Sequence, residues 1–432
     1  MPPFPPPPLA PLPARTALPV GPVTSWMLLT AYVVLTLPTQ WVKAVLPYYG
    51  DVVFGAMMLL VALPYLFLRS FWRGTSKWAI GLMLYGLILT YLTRGGENAW
   101  PVGWRELILD ALLFLSVAFG LKLGEASFES LRTLVSRVSW VCVLMGAANI
   151  LLMRFGYVQI DADASNRVVS ISLFYVISPL LFLVPLQVVF RLGLLLPVLS
   201  VAMVGLVAYF TLTRSIAIAF FLLFAQLLLL LFRRLLGAFA AGFTVWLFLI
   251  LPLMGLGGYF MLDSITDARG MESIANSTGR GEEFDEFLDQ MTPRGWVAGN
   301  GLGTGFLMNG YDPDTGVPMK VITTGLHYST LTPVLKLGVV LTVCLWLALL
   351  YASFRVFFGP GEVDQKAVIL VPFNYFLVYS ISGGWLASTY IVIGLALCIL
   401  FNFRTFSETA AAAAQPARPD GRPLLHRRHR HL

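Results

Sequence analysis

The sequence predicts an all-α, polytopic membrane bundle of about twelve transmembrane helices with one long extracytoplasmic loop. Hydrophobic residues make up 58% of the 432-residue chain and charged residues only 12%, a balance that a soluble globule with a polar surface does not have. Many apolar runs reach the roughly 17 to 25 residues that a bilayer core requires. They are continuously apolar rather than alternating, which disfavours strands, because open sheets cannot satisfy their backbone groups in lipid.

The apolar runs also give the domain organisation. Residues 1–24 are a proline-rich leader and residues 405–432 a basic tail, and both are expected to be disordered. Spans one to nine occupy 25–262, the loop occupies 263–329, and spans ten to twelve occupy 330–404. The three cysteines all fall inside spans, so neither a disulfide framework nor a thiolate metal site is expected. The predicted spans are 26–46, 50–68, 78–93, 105–121, 135–154, 169–190, 192–212, 214–232, 239–262, 330–354, 367–383 and 385–403.

Charge sets the predicted orientation. With a cytoplasmic amino terminus, 18 of the 29 lysines and arginines lie inside, so the positive-inside rule places the long loop outside. The remaining lysines and arginines, which lie outside, run against this rule. A single interfacial arginine is explained by snorkelling to headgroups, whereas several on one face favour a site. Arg214 stands out because it separates two long apolar spans, where an ionisable group is costly and its guanidinium suits phosphate oxygens.

The long loop has two recognisable parts. The stretch 281–291, GEEFDEFLDQM, is typical of an amphipathic helix with Phe284, Phe287, Leu288 and Met291 on its apolar face. The following stretch contains glycines at 299, 301, 303 and 305. Their spacing is not that of a dinucleotide fingerprint and no strand precedes them, which leaves backbone turns or backbone amides near an anion as their use.

His327 is the one histidine outside the basic tail, and it precedes span ten. A neutral imidazole can act as a general base towards an attacking hydroxyl, although a lone histidine is also often structural. Glu106 and Asp110 lie one turn apart in span four, and we expect them to be interfacial or paired with Arg105 rather than catalytic. The nucleotide, zinc-protease, serine-hydrolase and calcium-loop motifs are absent from the sequence, so an activated substrate would supply the driving force.

Three segments, in order, resemble the O-antigen ligase and polysaccharide polymerase superfamily. TLTRSIAIAFFLLFAQLLLLL is similar to a Ser-Arg motif that opens a leucine-rich span. STGRGEEFDEFLDQMTPRGWVAGNGLGTGF is similar to a Gly-Arg, helix, Gly-x-Gly stretch, and HYSTLTPVLKLGVVLTVCL resembles a His-Asn segment followed by Glu-x-Gly. The likeness covers roughly residues 160 to 350. Three positions depart from the pattern: Thr213, Tyr328 and Lys336 stand where serine, asparagine and glutamate are usual.

The resemblance implies a C-type glycosyltransferase-like fold and an inverting transfer, independent of metal and cofactor, at the extracytoplasmic face of the bacterial inner membrane. It implies that Arg214, Arg280 and Arg167 bind the pyrophosphate of an undecaprenyl-pyrophosphate-linked glycan donor, and that His327 is the catalytic residue that activates the acceptor hydroxyl. The acceptor would be a saccharide or lipid-linked saccharide. Membrane lipids, a chain-length regulator and a flippase are the further partners considered, and no nucleic acid.

The leading hypothesis is a polymerase of O-antigen or exopolysaccharide repeat units, and the alternative is a ligase that transfers the finished glycan to lipid A core or another acceptor. The sequence does not separate them, because both would use the same arginines and histidine. A flippase or transporter of lipid-linked saccharides is the alternative of another class. Internal repeats and broken helices near mid-membrane would favour it, and the sequence indicates neither.

Overall fold

The computed structural model describes residues 25, 26, 28–30, 33, 74–93, 103–155, 157, 171–211, 214–236, 285–311, 318–323, 332–375 and 387–414. Most of them are helical, which confirms the coarse prediction of an α-helical protein. The helices are α1 (Ser76–Thr93), α2 (Trp104–Leu123), α3 (Phe128–Arg154), α4 (Ile171–Val189), α5 (Leu195–Thr211), α6 (Arg214–Leu236), α7 (Pro293–Ala298), α8 (Thr332–Phe358), the 3-10 helix Gln365–Leu370, α9 (Ala387–Phe401) and α10 (Phe403–Ala414).

Several of these helices have the length and surface of membrane helices. Phe128–Arg154 and Thr332–Phe358 are each long and apolar enough to cross a bilayer, and Thr389–Phe401 with Phe403–Ala411 forms a third candidate, bent by 83°. Tyr175–Val189, Leu195–Phe210 and Ala219–Leu228 are shorter apolar helices. Large apolar side chains also point outward, for example Ile88 and Leu347 at 58% exposure each. These features are compatible with a helical membrane protein, whose outer surface faces lipid.

The structure differs from the predicted elements in two places. A two-stranded antiparallel hairpin, β1 (Phe306–Tyr311) and β2 (Pro318–Thr323), lies in the long loop, so the expectation that strands are absent was wrong there. The hairpin pairs Phe306 with Thr323 and Tyr311 with Pro318. The expected disorder of 405–432 was also wrong at its start, because α10 continues to Ala414. Predicted spans 50–68 and 239–262 lie outside the described residues.

Helix α4 forms the centre of the bundle. Its side chains are almost completely buried from Leu173 onward, and Pro179 and Pro185 lie within it. The buried amide of Gln187 donates hydrogen bonds to Ser139 on α3 at 2.8 Å and to Ser200 on α5 at 2.9 Å. Such bonds hold helices together where the surroundings offer little hydrophobic driving force.

Helices α2 and α9 approach each other through glycine. A Cβ atom at Gly120 would lie 2.1 Å from the carbonyl oxygen of Ile391, and one at Gly394 would lie 2.3 Å from that of Val117. Only glycine permits this backbone contact, which is the small-residue packing typical of membrane helices. The contact fixes α2, and α2 in turn carries residues of the site described below.

The ends of the helices form two distinct regions. At one end, the rings of Phe128, Phe190 and Phe406 lie with their centroids 5.2 to 5.6 Å apart, and Arg191 pairs with Glu362 and Asp364. The long loop contacts the opposite ends of α1, α2 and α8. The described part of the long loop therefore lies at the other end of these helices from the loop that contains Arg191.

Candidate functional site

A glycine loop, residues 299–305, connects α7 to the hairpin and is inserted between α1, α2 and α8. Its backbone has positive φ at Gly299, Gly301 and Gly303. A Cβ at Gly301 would lie 2.4 Å from the backbone nitrogen of Thr90, and one at Gly303 would lie 2.7 Å from the Cα of Leu107. These glycines are therefore required both by conformation and by close backbone approach.

The five successive N–H groups of residues 299–303 all have acceptors. Gly299 donates to Gly295 O at 2.8 Å, and Asn300 and Gly301 donate to the carbonyls of Leu335 and Lys336 at 2.9 and 3.0 Å. Leu302 donates to Gly86 O at 3.3 Å, and Gly303 donates to a side chain, described below. The sequence left two uses open for these glycines, and the first of them, a backbone turn, is present in the structure. One of these amides also lies next to an anion, because the Gly303 N–H donates to the carboxylate of Asp110.

A break in α8 supplies two of these acceptors. Gly338 has φ 81° and ψ 163°, which interrupts the helix. In an unbroken helix the carbonyls of Leu335 and Lys336 would accept bonds from residues one turn later; here both accept bonds from the glycine loop. The break and the loop fit against each other, because a Cβ at Gly338 would lie 2.3 Å from the carbonyl oxygen of Val297.

The loop lies well inside the bundle. Thr90 donates to Leu302 O at 2.9 Å and Thr93 donates to Asn300 O at 3.1 Å, and Tyr85 donates to Ala298 O at 2.8 Å. Gly86, whose carbonyl also accepts from the loop, is two turns from the end of α1, or about 10 Å. Non-helical backbone at this depth is tolerated only where it is buried in protein.

Asp110 and Lys336 form a buried ion pair beside the loop. Both residues are only 4% exposed, and Lys336 Nζ contacts Asp110 Oδ2. The same carboxylate oxygen accepts the backbone N–H of Gly303 at 2.7 Å. Asp110 is therefore buried rather than interfacial, and its described partner comes from span ten, a contact that local spacing cannot reveal. The side chain of Arg105 lies outside the described residues.

The outer part of the long loop packs on an aromatic cluster. The Phe287 ring lies 5.7 Å from Trp296 and 6.0 Å from Phe306, in edge contacts, and Phe287 and Met291 are buried. This confirms the predicted apolar face at Phe287, within helical residues 285–290, and at Met291 directly after them. The prediction was wrong for Leu288, which is 38% exposed, and Phe284 lies outside the described residues. Leu335 of α8 completes the cluster. The helix, hairpin and α8 thus form one packed unit.

Gln290 ties this helix to the hairpin. Its amide donates to Leu307 O and accepts from Leu307 N, both at 2.9 Å. Gln290→Ala is expected to cost about 1.4 kcal/mol of local stability, equivalent to tenfold faster amide exchange at Leu307. Hydrogen–deuterium exchange of the purified protein measures this. Asp289→Ala, at the neighbouring exposed position, is the control, and equal exchange in both variants would contradict the assignment.

An apolar cavity of about 170 Å³ adjoins the ion pair. It runs between α1, α2, α8 and α9 and contains little polar surface besides Asp110 and Lys336. Its aromatic lining residues are Phe114, Trp346, Tyr375, Tyr390 and Phe401. The cavity is suited to an apolar chain rather than to a nucleotide or a free sugar.

The structure describes one of the four predicted site residues. Arg214 is the first residue of α6, as expected of a residue that opens a leucine-rich span. Arg167, Arg280 and His327 lie outside the described residues. In the chain, His327 is bracketed by the end of β2 and the start of α8, both of which belong to the packed unit around the glycine loop.

Comparison with known proteins gives no assignment. No protein-family model, no curated protein and no solved structure matches this chain. The resemblance of the three motif segments to the O-antigen ligase and polymerase superfamily therefore stays a prediction from sequence, and the function has to be argued from the site.

Proposed function

We propose that this chain is an inverting, metal-independent glycosyltransferase of the bacterial inner membrane that polymerises undecaprenyl-pyrophosphate-linked repeat units of an O-antigen or exopolysaccharide. Arg214, Arg280 and Arg167 bind the donor pyrophosphate, and His327 takes the proton from the acceptor hydroxyl. The observation that carries the proposal is the anchoring of the long polar segment in the bundle by the glycine loop. A catalytic loop has to be held in place, whereas a linker does not.

The chemistry follows from the residue types. The acceptor oxygen attacks the anomeric carbon while the bond to the pyrophosphate oxygen breaks, so the leaving group gains negative charge. Arginine stabilises that charge through paired N–H groups in a site poor in water. A general base typically contributes 10²- to 10⁴-fold in rate. The apolar cavity beside Asp110 and Lys336 supports the proposal, because a polyprenyl carrier needs an apolar path next to polar groups.

The proposal includes twelve spans, with the long loop in the periplasm and the Arg191 loop in the cytoplasm. Leu307 and Leu194 are 37% and 53% exposed at these two faces. We expect a membrane-impermeant maleimide to label Leu307→Cys in intact spheroplasts and Leu194→Cys only after lysis. The parent for both is Cys344→Ser, since Cys344 is the exposed native cysteine. Labelling of both before lysis would contradict the topology.

A ligase that moves a finished glycan onto lipid A core or another acceptor is the second candidate. It would use the same arginines and histidine, and the departures at Tyr328 and Lys336 lie in the motif that contains His327. A flippase is a candidate of another class, and the break of α8 at Gly338 is a feature that transporters also show. Gly338 and the turn before it are packed against the glycine loop, however, which favours a fixed structural element.

The three candidates differ in what accumulates when the gene is deleted. Loss of the polymerase leaves single repeat units on the lipid carrier, accessible from the periplasm. Loss of a ligase leaves long chains on the carrier, and loss of a flippase leaves single units protected on the cytoplasmic side. Gel analysis of polysaccharide and extracted lipid-linked glycans, with and without a periplasmic glycosidase, separates these outcomes. We expect single, accessible units, and restoration of long polymer by the wild-type gene.

A further inference from the structure

One carboxylate joins three parts of the molecule. Asp110 belongs to α2, and its Oδ2 atom accepts the N–H of Gly303 from the glycine loop at 2.7 Å. The same oxygen pairs with Lys336 from α8. Lys336 also binds the loop through its own backbone, because its carbonyl accepts from Gly301 at 3.0 Å. Loop, α2 and α8 therefore meet at a single buried point.

Because the ion pair between Asp110 and Lys336 is buried, its stability depends on both partners. The two side chains are 5% and 6% exposed and border an apolar cavity. In such surroundings a charge is stable only when it is paired and hydrogen-bonded. Neutralising one partner leaves the other charge buried without its counter-ion, whereas neutralising both removes the problem altogether.

The contact of Asp110 with Lys336 and Gly303 lies close in the chain to both elements that flank His327. On one side, β2 ends at Thr323, which pairs with Phe306 directly after the glycine loop. On the other side, α8 begins at Thr332 and reaches Lys336 within its first turns. The Asp110 carboxylate thus holds the loop before β1 and the helix after His327 in a fixed relation.

We propose that Asp110 and Lys336 are positioning residues, which clamp the glycine loop to α2 and α8 and so fix the two described elements, the hairpin and α8, that flank His327 in the chain. This rests on the proposed function for its catalytic meaning. The clamp itself concerns only how firmly the glycine loop is held, which can be measured without any substrate.

The loop is tested by cysteine labelling in the Cys344→Ser background. Thr304 is completely buried, so Thr304→Cys should resist a membrane-impermeant maleimide. Adding Asp110→Asn or Lys336→Met should raise its labelling rate at least tenfold. Leu302→Cys, also completely buried, repeats the test at a second site. The matched control is Glu129→Gln, which makes the same kind of change at an exposed ion pair with Arg132 and should leave labelling unchanged.

Two double variants separate a three-way clamp from a simple ion pair. Asp110→Asn with Lys336→Met removes both charges but keeps an oxygen that can accept from Gly303, so protection should return. Asp110→Lys with Lys336→Asp keeps opposite charges but removes the acceptor from position 110, so labelling should stay high. Equal protection in both double variants would overturn the three-way clamp. So would wild-type labelling of Asp110→Asn.

Polymer synthesis tests the positioning role. At equal protein levels in the membrane, Asp110→Asn and Lys336→Met should each reduce polymer about a hundredfold, as expected for a small displacement of a catalytic group, and the neutral double variant should recover most of it. Polymer that falls only in proportion to protein level would overturn positioning in favour of folding alone. If His327→Ala leaves polymer unchanged, the proposed transferase fails, while the labelling results still decide the clamp.

Discussion

Replacing Gly338 by alanine is expected to destabilise the protein by about 3 kcal/mol or more. Its φ of 81° and ψ of 163° fall in a region that essentially only glycine occupies, at a cost of roughly 1 to 3 kcal/mol for other residues. The new Cβ would also meet the carbonyl oxygen of Val297 at 2.3 Å, which forces backbone apart at a further cost of about 1 to 3 kcal/mol. Thermal unfolding in detergent should show a midpoint several degrees lower.

Two other glycines separate the causes of this effect. Gly193 has φ 80° but open space around its Cβ position, so Gly193→Ala should cost only the conformational strain, about 1 to 2 kcal/mol. Gly81 lies in α1 with nothing within 4 Å, and Gly81→Ala should be neutral or stabilising by up to about 1 kcal/mol. If Gly338→Ala is no worse than Gly193→Ala, the close fit between the α8 break and the glycine loop is not present in the protein.

Replacing His327 by alanine is expected to reduce glycan transfer by about 10² to 10⁴, the usual contribution of a general base. The other three histidines, His426, His429 and His431, lie in the basic tail. Their simultaneous replacement by alanine is the matched control and should leave polymer length and amount unchanged. Quantified polymer per unit of membrane protein, in the complemented deletion strain, measures both.

Substitution of Arg214 provides a second test of the same reaction. Arg214→Lys keeps the charge but loses the planar fork of donors, so it should lose most activity if paired contacts to pyrophosphate matter. Equal activity of the lysine and wild-type proteins would point to a simple charge requirement at the membrane surface. A loss of activity in the tail variant as large as that in His327→Ala would contradict the assignment of the base.

The helical class could be predicted from sequence because long apolar runs have few other solutions in lipid. Predicted spans 78–93, 105–121 and 214–232 correspond to α1, α2 and α6 within a few residues. The hairpin was missed, although the turn residues DPDTG between FLMNGY and VPMKVIT are a usable signal for it. Open strands are disfavoured in lipid because their backbone groups stay unsatisfied there. The hairpin lies in the polar loop, to which this constraint does not apply.

The buried clamp could not be predicted, since Asp110 and Lys336 are far apart in sequence and meet only through packing. A signal for it existed in Lys336, where a cation stands within a predicted span. An intramembrane charge implies a partner of opposite sign, and Asp110 is an acidic residue of another span. The inserted glycine loop likewise depends on a break in α8 at Gly338, for which one glycine in an apolar run is too weak a sign.

The central claim is that this chain transfers glycan from lipid pyrophosphate. The most direct test incubates purified protein in bilayers with lipid-linked glycan extracted from the deletion strain, in the presence of EDTA, and follows glycan length together with release of the lipid carrier. We expect longer glycan with equimolar undecaprenyl pyrophosphate released by the wild-type protein, and almost none by His327→Ala or Arg214→Lys. Full transfer by both variants, or none by the wild-type protein with its substrate present, would contradict it.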